Sequence, residues 1–414
     1  MTPRIESGTE EAVAPVAAEG TRLRITKLVV HRVSAPLEAP YRWSAGTYPG
    51  VSKGIVEVHT DEGIVGLGEL PDAELADLVE RKLAQDLVGA DPLNVEECFR
   101  CAVPELIALR NTHGFEPLRA FGGIEIALWD IKGKALGVPL HVLLGGAART
   151  DVAFTEYFAF RDAGLVQGES TPLEVARYCA RMREEHGSTS FEGKVGVKDL
   201  STELDMVRQV RSAIGDDAML RLDANMGWSP ATARRALRAL EPYGIANVEE
   251  PVGDLRALAK LRRHSPIPFS SHDPDVRLAA ELGVPDAIVL NLASLGGIRE
   301  TVKLIAACEA FGIGFWFYSG DTGIGTAAYL QVSAALPYLE QPHQSLLRWY
   351  VDDVIAEGPF RPKNGVVPVP EGPGLGVTLD PAALARCKER FEREGALRQF
   401  GNGERVRYSR LPRQ

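Results

Sequence analysis

Apolar and polar residues alternate in two stretches near the start of the chain, residues 25–33 and 54–59, with β-branched side chains at the apolar positions. That is the period of a strand with one buried face. Asp61-Glu62-Gly63 reads as a turn into a third strand over residues 64–70, which makes an antiparallel meander. Residues 35–53, between the first two strands, are rich in Pro, Gly and aromatic side chains (Tyr41, Trp43, Tyr48), and this composition predicts a lid or binding loop. Helical periodicity follows from Ala73 to about Gly137. Its last segment, residues 122–136, puts Ile124, Ala127, Leu128 and Ile131 on one face and stops at Gly137, with Pro139 beyond. Residues 21–145 are therefore expected to form an α+β domain, and residues 1–20, small and polar, a disordered leader.

After Gly145-Gly146 the period changes. Short apolar runs, most ending in ionisable groups, cover residues 152–157, 190–194, 219–223, 246–249, 268–272, 287–291 and 314–317. Helical stretches separate them, a spacing of about 25 residues per repeat that marks βα units. An eighth strand near residues 344–350 would close a parallel barrel over residues 146–360. No glycine-rich phosphate loop follows the first strand, which disfavours an open dinucleotide-binding sheet. Residues 365–377 are β-like but too Pro-rich for a central strand. They suit an edge ribbon, and residues 361–414 are expected to return to the first domain, with a helix from Pro381 to Glu394.

Composition narrows the function. The 414 residues are 45% apolar and 25% charged, an ordinary globular balance. A net charge of −10 argues against a nucleic-acid binder. No apolar run is long enough to span a membrane, and no signal peptide opens the chain, so a cytoplasmic protein is expected. The five cysteines are odd in number and scattered, which disfavours a disulfide framework. Cys98 and Cys101 form a C-x-x-C in a helical run, read as structural because no second pair follows.

The strand tips carry the candidate chemistry. Asp223, Glu249 and either His272 or Asp273 end successive strands, each one βα unit after the last. Neighbouring strands lie about 4.8 Å apart, so these groups can converge. Acids packed together without a cation raise one another's pKa, and oxygen ligands favour Mg²⁺ as the cation that relieves them. Lys194 ends the preceding strand. Beside a metal its pKa would fall, and it could serve as a general base; its alternative is an ion pair with Glu192 or a ligand carboxylate. Together these parts describe a metal that binds a substrate carboxylate, a lysine that takes the adjacent proton, and an enediolate stabilised by the metal.

The run Gly123-Ile124-Glu125-Ile126-Ala127-Leu128-Trp129-Asp130, with Lys132 to Pro139 and Leu143-Leu144-Gly145-Gly146, resembles the domain junction of the enolase superfamily. Leu222-Asp223-Ala224-Asn225, Glu249-Glu250-Pro251, Leu295-Gly296-Gly297-Ile298 and Pro373-Gly374-Leu375-Gly376 are similar to its other motifs. The likeness runs from about Leu23 to Phe391, and the glucarate dehydratase-like branch is nearest among the mandelate racemase and muconate lactonizing types. It implies an α/β fold: a modified (β/α)7β TIM-type barrel with an α+β N-terminal capping domain. It also implies Mg²⁺ and proton abstraction beside a carboxylate, which is that superfamily's known chemistry.

Carried over by position, Asp223 and Glu249 are metal ligands, with His272 or Asp273 as the third; imidazole is softer than Mg²⁺ prefers, which keeps Asp273 in view. The family's Lys-x-Lys reads Glu192-Gly193-Lys194, so Lys194 is the base and one cation that helps hold the carboxylate is gone. Asn291 and Asp321 stand where racemases and dehydratases carry an Asp–His dyad, and Ser294 stands where the muconate branch carries a lysine. One base is evident, and two-base racemisation through either standard pair is disfavoured. Asp321, or a metal-bound water, is expected to help a β-hydroxyl leave. Glu192, Asn225, Asn291 and Tyr318 are expected to bind substrate. The resemblance thus points to a lyase dehydrating a hydroxy or sugar acid. The aromatic run Phe315-Trp316-Phe317-Tyr318 keeps open an isomerase, cycloisomerase or epimerase acting on a cyclic or aromatic carboxylate. The third alternative is a metal- or ligand-binding paralogue without turnover. A small carboxylate is the expected partner, and a homo-oligomer the expected assembly.

Overall fold

The computed structural model describes residues 23–103, 115–318 and 320–397. The expected leader, part of the helical run after Leu93 and the last residues of the C-terminal segment lie outside them. The chain opens with three antiparallel strands, β1 (Ile25–Trp43), β2 (Gly46–Thr60) and β3 (Val65–Leu70). The loop expected over residues 35–53 is instead the far half of the β1–β2 hairpin. Val33 pairs with Lys53, Pro36 with Gly50 and Trp43 with Gly46. The register slips between Pro36 and Tyr41, which confines Pro36 and Pro40 to the irregular stretch where a missing N–H costs least. Val33, Ala35, Leu37, Ala39 and Tyr41 alternate inward along it and are buried.

The barrel is a parallel sheet ordered β5 (Glu156–Phe158), β6 (Ser190–Lys194), β7 (Met219–Asp223), β8 (Asn247–Glu249), β9 (Phe269–Ser271), β10 (Ala287–Leu290) and β11 (Gly314–Phe317). The expected first barrel strand is split. Its start, β4 (Asp151–Ala153), pairs antiparallel with β12 (Val366–Pro368) outside the barrel. Helices cover the outside, most with a side-chain N-cap; Thr171 and Glu174 form a reciprocal capping box at Pro172–His186. Cys98 and Cys101 lie on the helix Val95–Ala102, and all five cysteines are free thiols. Among the described residues no helix is long and apolar enough to cross a membrane.

The eighth strand expected over residues 344–350 is not formed. His343 and Gln344 close the ring: the Gln344 N–H donates to Phe317 O at 2.9 Å, and the Thr155 N–H donates to His343 O at 2.8 Å. The chain then turns into a 3₁₀ segment, Leu347–Trp349. A side chain completes the ladder, because the Phe317 N–H donates to His343 Nδ1 at 3.0 Å. That bond leaves Nε2 to carry the ring proton, facing Ser333 Oγ at 2.8 Å.

Two buried carboxylates join the N-terminal domain to the barrel, and a third ties it to the C-terminal segment. Glu125, on the long helix Glu116–Leu136, accepts the N–H groups of Ile298 and Arg299, at the start of the barrel helix Ile298–Phe311. Glu69 of β3 accepts the N–H groups of Thr322 and Gly325, at the start of Gly323–Ala335. Each places an acid at a helix N-terminus, where free N–H groups and the helix dipole favour it. Asp130 accepts from Leu67 N and Leu375 N, each at 2.8 Å, and binds Lys134. The approach is close: a Cβ on Gly122 would meet the Ala293 carbonyl oxygen at 2.0 Å.

Burial, with Arg221 and Arg149 nearby, pulls His343 down to about 3 from its ordinary 6.5. The unfolded chain takes up this proton below about pH 6.5, and the folded chain only near pH 3. The stability from neutral His343 is therefore complete above that upper value and falls by about 1.4 kcal/mol per pH unit as acid is added below it. Urea unfolding of His343→Asn should show an acid-side slope shallower than wild type by that amount. Equal slopes would remove His343 from the account of barrel closure.

Candidate functional site

The strand register assembles the site. Lys194 pairs with Asp223, Asp223 with Glu249, and Glu249 with Ser270 across β6 to β9. Asp223 and Glu249 are 1% exposed, at the floor of a cavity of about 310 Å³. Asp223 Oδ1 accepts the Asn225 N–H at 2.8 Å, and its Oδ2 takes the Lys194 ammonium. Lys194 also donates to Asn225 Oδ1 at 2.5 Å and lies over the Tyr157 ring. Among the described residues only four non-glycine residues have positive φ. Three of them, Asn225, Met226 and Glu250, are at the ends of β7 and β8. Strain of this kind concentrates where side chains are held for a task.

Glu249 Oε2 accepts from the Gln344 amide at 2.5 Å, whereas its Oε1 is buried without a hydrogen-bond partner. His272 Nε2 stands 3.2 Å from that oxygen, at ion-pair distance. His272 Nδ1 is 2.6 Å from the Val289 carbonyl, an acceptor only, so Nδ1 carries a proton. A ring nitrogen fixed this way turns the other one towards a cation, as metal-binding histidines do. Two carboxylates, one with an oxygen free of hydrogen bonds, supply oxygen donors that fit a hard divalent cation, and this imidazole is a softer third donor beside them. Among the described residues no three such side chains close into a cage; the Lys194 ammonium lies against Asp223 instead.

Asp273 is turned elsewhere. It accepts the Asp275 N–H at 2.9 Å and lines a separate groove with Glu300 and Lys303. Of the two positions weighed for the third ligand, only His272 faces the cavity. Glu192, expected to bind substrate, is 1% exposed and lies below the floor. It pairs in register with Arg221, accepts from Gln344, and is pushed up to about 8 by burial and by Glu249. Burial pulls the Lys194 pKa down, but Asp223 together with Tyr157, Tyr41 and Glu249 more than offsets it and holds the ammonium well above its ordinary value. His272 is likewise pulled down by burial and held up by Glu249 and Glu250.

On the far side stand Asn291, Tyr318 and Ser294, all lining the cavity. Tyr318 packs edge-on against His272, with centroids 5.0 Å apart. Asn291 follows β10, the strand opposite β6 in the ring, with β7, β8 and β9 between them. Asp321 does not line the cavity. One of its oxygens binds the Lys53 ammonium at 2.5 Å, and the other accepts from Asn291 and Tyr329. Lys53 covers it and lines the cavity itself. This β2 lysine, 6% exposed, also donates to Pro71 O at 2.9 Å. Sequence reasoning missed it, although its signal is a charge in phase with the buried Val51 and Ile55. The reasoning also missed the Asp72–Arg119 pair at the rim. Tyr41 and Tyr48, stacked at 4.9 Å, and Trp43 roof the cavity from the hairpin.

Comparison with known proteins agrees with this geometry. Residues 25–145 match the mandelate racemase/muconate lactonizing enzyme N-terminal domain, and residues 174–383 match the enolase C-terminal domain-like family. A chloromuconate cycloisomerase of Delftia acidovorans is 31% identical, over 86% of this chain and 97% of its own length. A probable glucarate dehydratase of Streptomyces coelicolor is 30% identical, over 85% and 88%. A crystal structure of an enolase from Thermobispora bispora, complexed with magnesium and formate, superposes with a TM-score of 0.82 at 29% identity, covering 91% of this chain and 95% of that one. With both domain models matched in order and their motif residues gathered at one cavity, the chain belongs to the enolase superfamily, of the mandelate racemase/muconate lactonizing enzyme type.

Proposed function

We propose that this chain is a Mg²⁺-dependent lyase that removes the proton next to a carboxylate and dehydrates a hydroxy or sugar acid. The observation that carries the reading is the single register line of Lys194, Asp223 and Glu249, with the orphaned Glu249 oxygen beside His272. Held by Asp223, Glu249 and His272, Mg²⁺ would supply positive charge for a substrate carboxylate and for the charge that grows on it. Lys194 is the base, and Asn225 aims its nitrogen. Gln344 fixes Glu249 from below, and the tyrosine and tryptophan roof excludes water. Solved relatives hold magnesium with small acids, formate in one and tartrate in another, which supports the same choice here.

A second reading has its own observation. The roof and wall carry Tyr41, Trp43, Tyr48, Tyr157 and Tyr318, which suits a cyclic or aromatic carboxylate and a one-base isomerisation or cycloisomerisation. The cycloisomerase relatives support it.

Incubation with Mg²⁺ in D₂O, with a panel of aldonic, aldaric, small hydroxy and cyclic acids, tests both. Deuterium at the α-carbon with loss of water supports dehydration, and deuterium with rearrangement supports isomerisation. A folded, Mg²⁺-binding protein that does neither would point to the binding paralogue. Lys194→Met should lose exchange and product by about a hundred- to ten-thousand-fold, and full activity in it sinks the mechanism. Calorimetric Mg²⁺ titration checks the ligands separately. Glu249→Gln and His272→Ala should each weaken affinity by about tenfold or more, while Asp273→Asn leaves it unchanged. The reverse pattern at His272 and Asp273 would replace this ligand set.

A further inference from the structure

We propose that Lys53, delivered from β2 of the N-terminal domain, is the second acid–base group of the cavity and protonates the departing hydroxyl. The proposal rests on the dehydration reading above. Elimination of water needs two proton movements. Lys194 first gives up to solvent the proton that Asp223 favours; as the free amine it takes the α-proton, and the electrons of the C–H bond pass toward the carboxylate. They return to form the Cα–Cβ double bond as the Cβ–O bond breaks, and the oxygen leaves as water with a proton from the enzyme. Lys53 then remains as the amine and Lys194 as the ammonium, and exchange with solvent restores both.

Tyr41, Tyr48, Tyr157 and Tyr318 line the cavity with phenols that burial pushes up and makes weaker acids, and the other groups facing it leave few donors for the second movement. Asp223, Glu249 and His272 form the metal side. Asp72 and Arg119 bind each other. Asp321 is covered, with both oxygens in use. Lys53 lines the cavity on the β10–β11 side, away from Lys194 on β6. It stays charged, because Asp321 and Glu69 more than offset the burial that pulls its pKa down. A firmly held ammonium still suffices as an acid here, since water, the conjugate acid of the leaving hydroxide, has a pKa of about 15.7. Asp321 is then a positioning residue, and Asn291 and Tyr329 fix it in turn.

The leaving group supplies the test. Fluoride departs without a proton, so glucarate and tartrate are each compared with the analogue carrying fluorine in place of the β-hydroxyl. Lys53→Met alone strands a buried carboxylate and can fail to fold, so the working variant is Lys53→Met with Asp321→Asn. In it, α-deuterium exchange and fluoride loss should stay within about threefold of wild type, and water loss should fall by about a hundredfold or more. Unchanged water loss overturns the proposal. An equal fall for both leaving groups also overturns it, because Lys53 would then only bind substrate. If wild type neither exchanges nor eliminates with any panel acid, dehydration itself fails, and Lys53 loses this role with it.

Discussion

A buried charge that finds no opposite charge costs several kcal/mol, and the barrel mouth buries many. Asp223, Glu249, Glu192, Glu69 and Asp321 all lie within a few residues of the strand ends or of the helices that cap them, and all are buried. The structure answers with short pairings. Lys194 meets Asp223, Lys53 meets Asp321, and Arg221 lies 3.9 Å from Glu192 with its guanidinium over the Trp316 ring. Burial pushes Glu192 up to about 8 and Glu69 up to about 7, and Glu192 leans toward the neutral form, which lowers the load further. Glu249 Oε1, buried without a hydrogen bond, is met by the His272 ring nitrogen at 3.2 Å.

The same economy explains the junction. Glu69 and Glu125 each do for a barrel helix what an N-cap does, but from another domain. Each exchanges solvent for backbone N–H groups at a helix N-terminus. The two domains are thereby locked in one orientation. That orientation lets β2 deliver Lys53, and the β1–β2 hairpin deliver Tyr41, Trp43 and Tyr48, to the mouth of a barrel they are not part of.

Much of this was legible in the sequence. Period-2 and period-3.6 patterning located seven barrel strands and their helices, and strand-end position brought Lys194, Asp223 and Glu249 together, because neighbours in a parallel sheet share a register. The misses have physical causes. The hairpin reads as a loop by composition, yet Val33, Ala35, Leu37, Ala39 and Tyr41 keep the strand period through two prolines that a bulge absorbs. The eighth strand is replaced by a histidine side chain acting as a ladder acceptor, which no propensity encodes. Lys53 and Asp321 are far apart in sequence and meet only through the domain junction. His272 and Asp273 are adjacent just past the end of β9, where the chain bends, and the bend turns one into the cavity and the other into a separate groove.

Two of the departures from the family pattern now separate. Glu192 and Asp321 each put an acid where a cation is usual, and in a buried site each needs a cation from elsewhere. For Glu192 that cation is Arg221, its register partner, and both lie below the floor with Gln344 bridging to Glu249. That pairing lies outside the cavity lining, so it does not return a cation to the wall. For Asp321 the cation is Lys53, which stands in front of the acid and faces the cavity. There the exchange moves a proton-bearing group from the barrel to the domain that covers it. An acid at position 321 is therefore no loss of the second catalytic side; it is the anchor that a lysine arriving from the other domain requires.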